Sequence, residues 1–137
     1  MTQLSQMIDA LYQAIEAIED FPARLERSPI RAITRNDYPA VVIHRGAETV
    51  SDDSPWPLVT RIRQIYVTVH CAGDEAEDEA DKIFLILQPV FANFTYEDLV
   101  ITKELSTDEP RYVQGDLTRV AITRRWALTY QTKEDAL

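Results

Sequence analysis

The stretch Arg61-Ile62-Arg63-Gln64-Ile65-Tyr66-Val67-Thr68-Val69-His70-Cys71 decides the fold. From Ile65 onward its odd positions are Ile, Val, Val and Cys, whereas Gln64, Thr68 and His70 fall on the even face. A period of two marks a strand buried on one side. The chain then runs through Gly73 into an acidic segment. Asp74 stands where a helix N-cap is wanted, and Glu75, Glu77 and Asp78 follow in the first turn, where carboxylates complement the positive end of the helix dipole. Ala76, Ala80, Ile83, Phe84 and Leu87 recur at spacings of three and four, so one stripe of the helix can fold back onto the buried strand face. Pro89 is expected to end this helix.

Upstream, Leu4, Met7, Ile8, Leu11, Ile15 and Ile18 recur at helical spacing, which predicts an amphipathic helix over residues 2–20. Its stripe is too short for a coiled-coil seam and suits core packing. Prolines 22, 29 and 39 exclude a helix in the next segment, where residues 30–33 suggest a short edge strand. Pro39 opens a β-branched run over residues 39–45 that reads as a central or semi-central strand. Residues 46–57 are polar and proline-rich and predict a loop or wide hairpin tip. Trp56 in this loop is either an interface anchor or a cover for its own domain edge.

Downstream, residues 99–105 predict a strand and residues 106–116 a long exposed loop. Residues 117–130 alternate and supply the closing strand. The polar residues 131–137 are expected to fray. The elements amount to a single domain over residues 1–130, of α+β class. Two layers are predicted: an antiparallel or mixed sheet of four to five strands with two helices on one face. The other face is open to partners.

The chain has 137 residues, 45% of them hydrophobic, which suits one core. Fourteen basic and 23 acidic side chains give a formal charge of −9, which argues against a phosphate-neutralising nucleic-acid binder. Cys71 is the single cysteine, so no internal disulfide forms, a count that fits a reducing cytoplasm. Its expected role is that of a small buried apolar residue. The first 20 residues lack a basic, apolar leader, and no apolar run approaches the roughly 20 residues of a membrane span, so a soluble, unexported protein is expected.

Motifs that carry chemistry are sparse. Three glycines form neither a P-loop nor a dinucleotide fingerprint. His44, His70 and Cys71 lack metal-site spacing, and adjacent strand residues 70 and 71 point to opposite faces. The acidic run from Asp74 to Asp81 lacks the ligand spacing of a calcium loop. No catalytic residue, metal or cofactor is therefore assigned. The arginines offer more. Arg61 and Arg63 share one face of the long strand, and Arg119, Arg124 and Arg125 lie along the last strand. Pairing of those strands is expected to gather them into a basic patch that meets an acidic surface of the next copy head to tail. Solvated arginines scattered at strand ends are the alternative. Candidate subunit or tube interface residues are Trp56, Arg61, Arg63, Asp74, Asp78, Arg111, Arg124 and Arg125.

The run Asp37-Tyr38-Pro39-Ala40-Val41-Val42-Ile43, then Gly46-Ala47-Glu48, the alternating strand, the acidic-start helix near Pro89-Val90, and the ending Leu128-Thr129-Tyr130 together resemble the tail-terminator proteins of long-tailed bacteriophages, the minor tail protein U type. The resemblance implies an α+β subunit that forms a homo-hexameric ring on the tail tube, stops its polymerisation and offers a surface to the head–tail connector protein. It implies a virion component assembled in the host cytoplasm. The partners implied are other copies of the chain, the tail tube protein and the connector. Neither a membrane nor specific nucleic-acid binding is implied, although DNA passes through such a ring. The family carries no catalytic residues or cofactors. A neck or head–tail joining subunit is the nearest alternative. The rival from another class is a small ligand-binding domain or enzyme using the open sheet face around His44, Tyr66 and His70.

Overall fold

The computed structural model describes residues 1–27, 38–51, 54–113 and 118–137. Along these residues run α1 (Gln3–Glu16), β1 (Arg24–Glu26), β2 (Ala40–Ser51), β3 (Leu58–Ala72), α2 (Ala76–Ala92), β4 (Leu99–Thr107), β5 (Arg111–Val113) and β6 (Arg119–Lys133). The sheet order is β1-β2-β3-β6-β4, with β5 also paired to β6. β1 joins β2 in parallel and every other pairing is antiparallel, so the sheet is mixed. The expected class holds. Six strands replace four to five because β1 and β5 have three residues each, too few to show a period.

β3 occupies the centre, in unbroken register with β6 from Leu58↔Lys133 to Ala72↔Arg119. Ile65, Val67, Val69 and Cys71 lie buried on one face with Trp126, Leu128 and the apolar stripes of both helices. Burying each large aliphatic side chain here contributes about 1.5–3 kcal/mol. α1 starts at a capped end, where Thr2 Oγ1 accepts from the Ser5 amide at 3.0 Å. It stops at Glu16 instead of near Asp20, whose φ of 55° leaves the helical region. Tyr12, absent from the predicted stripe, is buried as well. Its hydroxyl takes the Ile43 amide at 3.2 Å and so pins α1 to β2.

Several boundaries differ from expectation. β2 continues through a bulge between Arg45 and Glu48 to Ser51, because β3 supplies ladder partners for residues expected to be a loop. Gly46 belongs to this bulged region, and a Cβ there would lie 2.6 Å from the Tyr66 ring. α2 is capped by Glu75 without a side-chain hydrogen bond, so Asp74 is not its N-cap. Gly73 makes the turn into it at φ 106°. Pro89 does not stop α2. Phe91, buried and stacked on Trp126 with centroids 5.6 Å apart, holds the last turn onto the core. That burial offsets an interior proline's cost of about 3 kcal/mol.

β4 extends to Thr107, and β5 forms within the segment expected to be loop. The polar tail is also tied in. β6 runs to Lys133, Thr132 is buried, and the Gln3 amide donates to the Leu137 carbonyl at 2.7 Å. The suggested strand at residues 30–33 lies outside the described residues.

Candidate assembly surfaces

β3 and β6 pair as expected, but their arginines do not merge into one patch. The strand period divides them. Arg61 and Arg63 share odd positions with Ile65 and continue the helix-side face toward the end of the sheet where β2 and β3 meet. Arg124 lies opposite Val67 on that same side, whereas Arg125 lies opposite Tyr66 on the other.

Glu48 organises the first group. It stands in register with Arg63, and Arg61 stands in register with Tyr130. Glu48 Oε2 lies 3.6 Å from Arg61 Nη1 and Oε1 lies 4.0 Å from Arg63 Nη1, while the Tyr130 hydroxyl donates to Oε1. Arg61 Nε donates to Thr132 Oγ1 at 3.0 Å. Burial, then the hydrogen bond to Glu48, raises the Tyr130 hydroxyl pKa well above its ordinary value. One carboxylate thus faces two guanidiniums.

Arg124 is held beneath α2. Its Nη1 donates to Gln88 Oε1 at 2.9 Å, its Nε to Thr107 Oγ1 at 3.1 Å, and its guanidinium lies 4.6 Å over the Phe84 ring. Glu104 Oε1 is 3.7 Å away. Arg125 makes a two-pronged contact with Asp108, at 2.8 and 3.0 Å, and stacks 4.5 Å over Tyr66. The Arg125 hydrogen bond lowers the Asp108 pKa, and Asp108 raises that of Arg125. Arg111 stands exposed on β5. Arg119 lies over the Tyr38 ring at 5.8 Å.

Trp56 resolves its two expectations in part. Its indole N–H donates to Glu134 at 2.9 Å, yet the residue is 83% exposed, so the ring covers no domain edge. Asp74 and Asp78 are exposed at the opposite end of β3, together with Glu75 and Glu77. Tyr112 donates to Glu77 there.

On the face away from the helices, His44 opposes Tyr66 and His70 opposes Ala40. Burial lowers both histidine pKa values, and each stays neutral over a wider range than a free imidazole. Cys71 sits on the other face, its thiol pushed up to about 12 by burial and by Glu79. It is a packing residue, as expected. Among the described residues no three His, Cys, Asp or Glu side chains are placed to hold a metal ion.

One surface was missed by pattern reading. Val100, Ile101, Leu105, Tyr112 and Val113 are large apolar residues between 43% and 60% exposed, all on β4 and β5 along the same side of β6. Val100 and Leu105 are the extra residues at the two β4 bulges. A bulge re-aims a side chain away from the ladder. The run over residues 99–105 announced a strand, but nothing in it revealed that its apolar side chains would face outward.

These features define a two-layer α+β domain whose β4–β5 edge exposes large apolar side chains beside Lys103, Glu104 and Arg111, and whose other charges are sorted into separate clusters. The chain is similar in fold to a chain in the solved structure titled "Virion of native gene transfer agent (GTA) particle", with 15% identity, coverage of 94% of this chain and 99% of that one, and a TM-score of 0.58. No family model and no curated protein matches the sequence. Among the described residues no helix is long and apolar enough to cross a membrane.

Proposed function

We propose that this chain is a structural subunit of a phage-type virion, and within that class a tail terminator. Copies close into a ring on the end of the tail tube, stop tube growth and present a surface to the head connector. The observation that carries this reading is the apolar edge of β4 and β5. Large side chains exposed together on an edge strand favour burial against another chain, here beside the exposed charges of Lys103 and Glu104. The near end-to-end fold likeness to a chain of a virion structure supports the class, and the resemblance of the sequence to tail terminators supports the finer reading.

Growth would end by geometry. A heterologous contact that closes a ring leaves the ring two different faces, one matched to the tube and one that rejects a further copy. Sedimentation of the purified chain over a concentration series, followed by electron microscopy, tests the reading. Six copies of 15.7 kDa would sediment near roughly 94 kDa as closed rings. A strict monomer at every concentration and salt, alone and with tube protein, would overturn it.

A further inference from the structure

We infer that Arg61 and Arg63 form a receptor for a carboxylate supplied by the acidic turn before and within the start of α2 of a neighbouring copy. The inference rests on the ring reading and names a charged contact between one subunit and the next, in addition to the β4–β5 edge.

The receptor end is short of acceptors. Two guanidiniums share Glu48 at 3.6 and 4.0 Å, both longer than a hydrogen bond, and the carboxylate already accepts from Tyr130. Arg63 Nε is buried without a hydrogen-bond partner. A buried donor left unpaired is unfavourable, so an acceptor at this position is rewarded. The arginine side chains are 14% and 24% exposed, so each keeps some surface in solvent while its partial burial lowers the local dielectric. A second carboxylate would balance the surplus positive charge. It would meet the guanidiniums where the arginine side chains keep their remaining exposure, with charge-assisted hydrogen bonds.

The donor end lies on the same strand. β3 carries the arginines near its start and leads through Gly73 into Asp74, Glu75, Glu77 and Asp78, all exposed and with no basic residue in the helix's first turn. Eleven residues separate Arg63 from Asp74, about 35 Å along an extended strand, so no single copy can bring its two ends together. A second copy placed head to tail can. Each subunit then gives one end and receives the other, a heterologous arrangement that closes into a ring when the rotation between copies closes. With a net charge of −9 the copies repel on average, and a local pairing of this kind sets their orientation.

The test compares self-association of the wild-type chain with three variants by sedimentation. Asp74→Lys/Asp78→Lys changes exposed residues, with circular dichroism checking that α2 survives the loss of its favourable first-turn carboxylates. Arg63→Gln removes the charge with little change of shape. The third is Arg61→Glu/Arg63→Glu, with circular dichroism reporting folding. Each is expected to associate at least tenfold more weakly than wild type. An equimolar mixture of the acid-reversed and arginine-reversed variants is expected to regain rings, because in alternation every junction is again complementary. If wild type forms rings and Asp74→Lys/Asp78→Lys and Arg63→Gln do so equally well, this contact is wrong while the ring reading stands. Loss of tube binding with rings intact would assign the receptor to the tube protein and overturn it too. A wild type that never forms rings removes both.

Discussion

Tyr130 donates its phenolic hydrogen bond to Glu48 across 82 residues of sequence, and the two stand on strands separated by β3. The arginines of β3 lie between them, Arg63 in register with Glu48 and Arg61 in register with Tyr130. Glu48 therefore serves three neighbours at once. Removing it leaves two partly buried positive charges and a phenol without an acceptor. Glu48→Ala should lower stability by about 2–3 kcal/mol and Tyr130→Phe by about 1 kcal/mol. Urea unfolding at neutral pH measures both.

The same pair predicts an alkaline limit. The Tyr130 pKa is raised in the folded protein, and burial raises that of Tyr12 as well. The unfolded chain thus loses these protons first as pH rises. Their contribution is complete below the ordinary tyrosine pKa near 10 and declines as pH climbs toward the folded values. Stability measured at pH 9 and at successive steps above 10 should fall. The fall should be shallower in Tyr130→Phe, and equal slopes would refute the assignment.

Gly46 gives a sharper test on the opposite face. A methyl group at residue 46 meets Tyr66 Cζ and Oη at 2.6 Å, so the ring must swing from beneath Arg125. Gly46→Ala should cost about 1 kcal/mol or more through displaced packing. In a Tyr66→Ala background the same substitution should cost almost nothing. The difference between backgrounds, read from a double-mutant cycle, measures the contact.

Pro89 is exposed within α2, where it denies a hydrogen bond to the Leu85 carbonyl. Phe91 is anchored with or without that bond. Pro89→Ala should therefore raise stability by about 1–3 kcal/mol. A thermal midpoint unchanged or lowered by the substitution would mean that the proline shapes the helix end in a way the core requires.

Legibility of the fold tracked the strength of local periodicity. The alternation of residues 65–71 and the stripe of Ile83, Phe84 and Leu87 located β3 and α2, since both patterns report burial on one face. Boundaries failed where tertiary pairing overrode local chemistry. β2 outran its polar residues because β3 lay beside them, and α2 outran Pro89 because Phe91 had Trp126 to pack on. The arginines misled for a related reason. Arg124 and Arg125 are neighbours in sequence, but a strand sends adjacent side chains to opposite faces, and their partners Gln88 and Asp108 come from α2 and from beyond β4. Glu48, which the other pair shares, lies beyond a bulge that no periodicity announced.

The apolar edge yields the last prediction. Val100 and Leu105 are exposed at bulges and make no ladder pair with β6, so replacing them removes little that the monomer uses. Val100→Ser/Leu105→Ser should shift monomer stability by no more than about 0.5 kcal/mol per site. If copies meet along this edge, each buried aliphatic side chain contributes about 1.5–3 kcal/mol to association, and losing two should shift the ring to monomers by at least a hundredfold in concentration. Sedimentation of the variant beside wild type at equal salt reads the shift. Bulges ordinarily protect an edge by twisting it away from pairing. Here they carry apolar side chains outward, and a variant that still closes rings would show that these bulges guard the edge instead of presenting it.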